Sequence, residues 1–296
     1  MPLFPGHGGC ARAGPERFTP PLSARRRRTN FSMCSISRAL ISSARQSEPL
    51  VIGVPDPDLP AARERAWQPN LVVRSRLPVL TGTFRKQGIF ATWAVMDTAS
   101  FLQGVVGGVQ ALRGAILRPN ICFLTSPKDA SREADVRSII SKSREWQVGV
   151  LLFARHPTAS LGLEKSINLW VADRSPDWQI TMELGSLDLC VLVAYLLKRN
   201  WEAELNLITV VRDANEIPTA REFLSRLAEL ARLPKDTRLT VQSGDLADQL
   251  SRAPQADLNI FGMPDDVDFN LLRRMVDETR ASCVFLLESG EESALA

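Results

Sequence analysis

The stretch from Ile167 to Val211 limits the fold more than any other part of the chain. Ile167 to Ala172 is an apolar run that stops at Asp173, Arg174, Ser175 and Pro176, a cluster that breaks regular structure. From Leu187 to Leu197 only Asp188 is charged and apolar residues lie on every side of a helical wheel, which predicts a helix packed on nearly all faces. Ser186 is its expected N-cap, and Lys198, Arg199 and Asn200 supply C-terminal signals. Leu205 to Val211 hardly alternates and is rich in branched residues, as a parallel strand covered on both faces is. Strand, helix and strand in that order make a βαβ unit, and its neighbours must fit a parallel sheet.

The same alternation runs on in both directions. Upstream, the patterns predict strand Ile89 to Met96, helix Ser100 to Ile116, strand Ile121 to Leu124, helix Ser131 to Arg144 and strand Val148 to Phe153. Short strands are also expected at Leu50 to Val54 and Leu71 to Val73, with a helical turn at Ala61 to Ala66. Downstream, a helix from Pro218 to Leu233 carries the stripe Ala220, Phe223, Leu224, Leu227, Leu230 and Ala231, and Pro234 should end it. Strand Arg238 to Val241, helix Asp245 to Leu250, strand Leu258 to Phe261, helix Phe269 to Val276 and strand Ser282 to Leu287 follow. The fold class is therefore α/β, a mostly parallel sheet with helices on both faces. IFATWAVMD (Ile89 to Asp97) and INLWVAD (Ile167 to Asp173) each put an aspartate at the end of an apolar strand, which suggests two Rossmann-like halves. The chain divides into an Arg/Pro/Ser-rich tail (1–48), a lead-in (49–88), a first α/β half (89–166), a second half (167–288) and an acidic end (289–296) expected to fray.

With 296 residues, 45% of them hydrophobic, the chain can bury a large core. No segment has the roughly 20 apolar residues that a membrane-spanning helix takes, so a membrane connection would run through a partner or a missing portion of chain. The net charge of +3 is unevenly spread, because the first 48 residues hold eight Arg against Glu16 and Glu48. The rest sums to −3, which is not the basic balance of a nucleic-acid binder. Cys10, Cys34, Cys122, Cys190 and Cys283 show no CxxC spacing and read as free thiols of a reducing compartment.

The ends of parallel strands are where an open α/β sheet binds ligands, and here those loops are poor in glycine. Asp97 and Thr98 follow the first strand directly, and Asp173, Arg174 and Ser175 follow the central one. Carboxylates there repel phosphate unless a metal intervenes. Gly104, Gly107, Gly108 and Gly114 fall inside a helical pattern and do not match GxGxxG, so a small, close-packing face is expected. His7 and His156 are the only histidines; neither has a neighbouring ligand at metal-site spacing, and Cys190 sits mid-helix among apolar residues. Asp265 and Asp266 after Pro264 read as a solvated turn. Catalytic, cofactor and metal residues are therefore assigned to none of these positions, and no enzyme activity is expected.

WQPN (Trp67 to Asn70), QGIFATWAVMD (Gln87 to Asp97), GVQALRGAILRPNICFL (Gly108 to Leu124), LWVADRSPDW (Leu169 to Trp178) and LDLCVLVAYLLKRNWEAELNLITVV (Leu187 to Val211) occur in this order. Together they resemble the cytosolic C-terminal domain of the cation-chloride cotransporter family, bacterial type, over roughly Trp67 to Leu287. The resemblance implies two halves similar to universal stress proteins and a non-catalytic domain that regulates ion flux and dimerises. It implies a cytoplasmic place at the inner face of a membrane, with a homodimer and a membrane transporter as partners and without nucleic acid or cofactor. The membrane helices that carry ions are absent from this sequence, so no transport residue carries over. The link from Leu71 to Phe84 is shorter than the family pattern, which points to a separated or truncated domain. The alternative is a stress-protein-like nucleotide module at the strand ends near Asp97, Asp173 and Asp213.

Overall fold

The computed structural model describes residues 69–295, apart from 87–90, 92–93, 97, 115–118, 182–183, 186 and 265. The strand expected at Leu50 to Val54, the turn at Ala61 to Ala66, the Ser186 cap and the Arg-rich tail lie outside the described residues. Helices α1 (Pro69–Lys86) and α2 (Phe101–Arg113) come first, followed by strand β1 (Ile121–Thr125), helix α3 (Glu133–Glu145) and strand β2 (Gly149–Ala154). The second part runs β3 (Ser166–Val171), α4 (Leu187–Trp201), β4 (Glu204–Val211), α5 (Ile217–Leu230) and β5 (Arg238–Ser243). It closes with α6 (Leu246–Leu250), β6 (Leu258–Gly262), α7 (Phe269–Thr279) and β7 (Ser282–Leu287).

All seven strands form one sheet in the order β1-β2-β7-β6-β3-β4-β5. Within β3 to β7 every pairing is parallel, and the chain winds outward from β3 first through β4 and β5, then back through β6 and β7. This is the doubly wound arrangement, whose crossovers place helices on both faces. The strands β1 and β2 are parallel to each other but join the rest through one antiparallel pairing, with Val150 beside Leu287 and Leu152 beside Phe285. The unit β1-α3-β2 thus meets β6-α7-β7 across an approximate two-fold axis at the β2/β7 seam.

Strand alternation sends side chains to two cores. Leu169, Leu205, Leu207, Ile260 and Leu286 pack under α4 and α5 on one face. Leu152, Trp170, Ile208, Phe261 and Phe285 pack under α3 and α7 on the other. Trp170, Phe261 and Phe285 stack across β3, β6 and β7 with ring centroids 5.4 and 5.5 Å apart. Fully burying such a side chain contributes about 1.5–3 kcal/mol, so the stack ties β7, the strand at the seam, to β6 and β3. Gly104 and Gly108 are buried on α2, as a small face predicts, and α2 packs on α3.

Four expectations change. Leu71 to Val73 is helical, because Pro69 opens α1 and the buried positions Leu77, Thr81 and Phe84 recur at helical spacing. Of Ile89 to Met96, Ala91 and residues 94–96 are described and none is in a strand; the Ala91 carbonyl accepts from the Arg85 Nε–H at 2.8 Å. The helix predicted to reach Leu233 ends at Leu230, since Arg232 turns to φ 50° and the Leu233 N–H bonds back to the Ala228 carbonyl before Pro234 arrives. The acidic end is held in place. Ser289 N–H donates to Glu292 at 2.9 Å, Ala294 is buried, and Leu295 packs on the core of α4.

Candidate functional site

The carboxyl ends of β3, β4, β5 and β6 form the edge where a ligand would sit. The turns after β3, β4 and β5 and the lead into α7 each carry an aspartate whose carboxylate is already used. Asp173 after β3 accepts from the Ser175 N–H at 2.9 Å and from its hydroxyl at 2.7 Å. Asp213 after β4 accepts from Asn215 N–H at 2.9 Å, Asp245 after β5 from Ala247 N–H at 2.9 Å, and Asp268 before α7 from Asn270 N–H at 2.8 Å. These are helix and turn caps, the commonest use of aspartate before a helix. Burial works to raise the Asp173 pKa, but the two Ser175 bonds, with the backbone and charge of Arg212, outweigh it and hold the group below its usual value.

The loop after β3 also fills the crevice beside α5. Trp178 is buried edge-on against Phe223, 5.6 Å between centroids, and its indole N–H donates to Glu216 at 2.8 Å. The Arg174 guanidinium lies 5.6 Å over the same Phe223 ring and donates to the Leu184 carbonyl at 2.7 Å. The Ser175–Pro176 peptide in this loop is cis. The loop after β6 offers Gly262 and then Met263, Pro264 and Asp266, with no glycine cradle for a phosphate. Of the three aspartates proposed for a nucleotide, Asp173 and Asp213 stand at adjacent strand ends, and Asp97 lies outside the described residues.

The nucleophile and metal candidates are spread apart or silenced. His156 Nδ1 accepts from Ala159 N–H at 3.0 Å, and the His156 N–H donates to Ser282 Oγ at 3.0 Å, so the residue shapes the turn after β2. Burial pushes the Cys122 and Cys283 thiols up to about 12, and that of Cys190 higher still. Thiols so placed are poor nucleophiles at neutral pH. Among the described residues, no group of three or more His, Cys, Asp or Glu could hold a metal ion.

Three polar devices were missed in the sequence. Asn168, Asn206 and Asn259 lie side by side on β3, β4 and β6 in a buried ladder. Thr240 donates to Asn206 at 2.9 Å, Asn168 Nδ2 reaches Asn259 at 3.3 Å, and the Trp170 indole N–H reaches Asn259 at 2.9 Å. The signal was present as INL, LNL and LNI, one asparagine inside each apolar strand. Asp257 accepts from the N–H groups of Leu163, Lys165 and Ser166 at 2.8–3.1 Å and so clamps the link between the two parts of the sheet. Asp188, the lone acid of α4, accepts from Leu184 N–H at 2.8 Å and from Ala294 N–H at 2.6 Å, tying the C-terminal segment down.

The description "Prokaryotic cation-chloride cotransporter, C-terminal domain, 1st" matches residues 64–161, and its "2nd" counterpart matches residues 162–295. The crystal structure of the cytoplasmic domain of a prokaryotic cation chloride cotransporter is 34% identical, with a TM-score of 0.74 over 91% of this chain and 94% of that one. The chain belongs to the prokaryotic cation-chloride cotransporter C-terminal domain family. A universal stress protein from Archaeoglobus fulgidus DSM 4304 is 13% identical, with a TM-score of 0.53 over 87% of this chain and 92% of that one. A functionally unknown protein from Pseudomonas aeruginosa PAO1 is 15% identical, with a TM-score of 0.50 over 83% and 95%. These two share the fold of the cotransporter domain and nothing finer. No curated protein matches the chain. Among the described residues of this cotransporter domain, no helix is long and apolar enough to cross a membrane.

Proposed function

We propose that this chain acts as a non-catalytic regulatory and assembly domain of a prokaryotic cation-chloride cotransporter, at the inner face of the membrane, through protein contacts and as a homodimer. The observation that carries the reading is the 34% identity to a cotransporter cytoplasmic domain across nearly the whole of both chains. The strand ends support it in a second way, because their aspartates cap turns, Trp178 fills the crevice and the thiols stay protonated.

Two measurements test it. The full chain should sediment as a dimer that persists on dilution, and it should co-purify with the detergent-solubilised membrane part of a prokaryotic cation-chloride cotransporter. A monomer at high concentration that captures no transporter would remove both the assembly and the partner. Calorimetric titration with ATP separates the nucleotide alternative. Stoichiometric binding tighter than about millimolar, roughly 4 kcal/mol, would replace the non-ligand reading.

A further inference from the structure

The net charge of +3 conceals two units of opposite sign. Residues 64–161 hold thirteen Lys and Arg against six Asp and Glu, whereas residues 162–295 hold fourteen against twenty-three. The first unit therefore carries +7 and the second −9. The balance of −3 for everything after the tail is what remains when these two units nearly cancel and residues 49–63 add −1, and the acidic character read from it belongs to the second unit.

Among the described residues of this unit, cations gather where α2 and α3 end near Trp146. Arg113 is in the last turn of α2, Lys142 and Arg144 are in the last turn of α3, and Arg113 and Arg144 are exposed. Trp146 follows directly and is half-buried, with the Arg113 guanidinium 5.8 Å and the Lys142 ammonium 5.9 Å from its ring centroid. Glu145 is the acid in this turn. Cations gathered around one indole repel each other, and the negative ends of two helices offset part of that repulsion. A ring half in protein and half in water, ringed by long cationic side chains, matches the headgroup layer of a bilayer, where indoles and cations both settle.

We propose that the basic first unit docks on anionic lipid headgroups through Arg113, Lys142, Arg144 and Trp146, while the acidic second unit is held away from the membrane. This rests on the transporter reading above, in which the first of two C-terminal units is the one joined in sequence to the membrane part. Two rival occupants fit less well. A nucleic acid reaching past the first unit would meet the −9 of the second. The acidic unit of another copy offers carboxylates to the cations, but an indole held among them suits the interfacial layer of a bilayer better.

The test is co-sedimentation of the full chain with sucrose-loaded vesicles, with Arg25 to Arg28 changed to Ser in every arm so that the tail run contributes nothing. Binding is expected to vesicles with about 30 mol% phosphatidylserine, to be absent with phosphatidylcholine alone, and to fall about tenfold or more between roughly 50 and 200 mM salt. The triple variant Arg113→Glu/Lys142→Glu/Arg144→Glu should lose about tenfold or more in affinity. Arg221→Glu/Arg226→Glu/Lys235→Glu, with the same charge change in the second unit, should not weaken binding. The substitution pair Arg113→Lys/Arg144→Lys, which keeps the charge, should retain binding, and circular dichroism checks that each variant folds. No vesicle binding, equal binding to neutral vesicles, or equal losses in both triple variants would overturn the proposal. So would duplex DNA outcompeting vesicles for the same residues, or salt-sensitive self-association that the first triple variant abolishes. Co-purification with the membrane part despite failed vesicle binding would sink the lipid contact and leave the transporter reading standing.

Discussion

At the scale of single residues, the most constrained point is Gly162, in the link between β2 and β3. Its φ is 54°, and a Cβ there would run into the Asp257 carboxylate, which already holds three backbone N–H groups. Gly162→Ala should cost about 2–4 kcal/mol in a urea unfolding curve, and Asp257→Ala about 1–3 kcal/mol. Because Asp257→Ala also removes the obstacle, the double variant should be more stable than the sum of the two losses by about 1 kcal/mol. Strict additivity would mean that the collision is relieved elsewhere. Asp173 makes a prediction about pH. Its folded pKa lies below the ordinary 3.8, so it adds stability above that value and loses the contribution as pH falls through the folded pKa. The Tm advantage of the native chain over Asp173→Asn should therefore shrink between about pH 5 and pH 2.5, modestly, since the carboxylate is exposed and screened.

At the scale of elements, the helix stops are made by residues that advertise nothing. After α3, α4, α5 and α7 the chain turns at Gln147, Glu202, Arg232 and Arg280, all left-handed with φ of 50–54°. The N–H groups of Val148, Ala203 and Leu233 bond back to the carbonyls of Ser143, Lys198 and Ala228, closing three of these ends. Glycine adopts that conformation without strain, so Gln147→Gly should raise stability by about 1 kcal/mol, read as a higher urea midpoint at unchanged slope. This is why helix ends were harder to read than helix bodies. The strands and helices from Ile121 onward were legible because their apolar periods are strong, whereas α1 was mistaken for a strand where Leu71, Val72 and Val73 outvoted a longer helical spacing. The family was legible through motifs in sequence order. The asparagine ladder was not, because its meaning depends on which strands lie side by side, and β6 sits next to β3 only after a long crossover. The emptiness of the strand ends could be suspected from missing glycines, but the plug made by Trp178 against Phe223 joins residues 45 positions apart and needed the fold.

At the scale of the whole molecule, the two parts share one sheet and two cores, and Phe285 on β7 stacks on Phe261 while pairing with Leu152 on β2. Calorimetry should therefore show a single endotherm whose van't Hoff and calorimetric enthalpies agree. Phe285→Ala should cost about 3–5 kcal/mol and lower hydrogen-exchange protection in β2 and β6 together. Separate melting of residues 101–154 would show that the seam does not couple the parts. The seam has a mechanical meaning as well. Two bodies linked by a bare tether can each wobble without the other noticing, but a continuous sheet transmits torque, and the clamp of Asp257 on the link between β2 and β3 removes the slack that a hinge would use. A tilt imposed on one end of this domain thus swings the far end as an oar blade follows its handle, with the β2/β7 pairing as the unbending shaft.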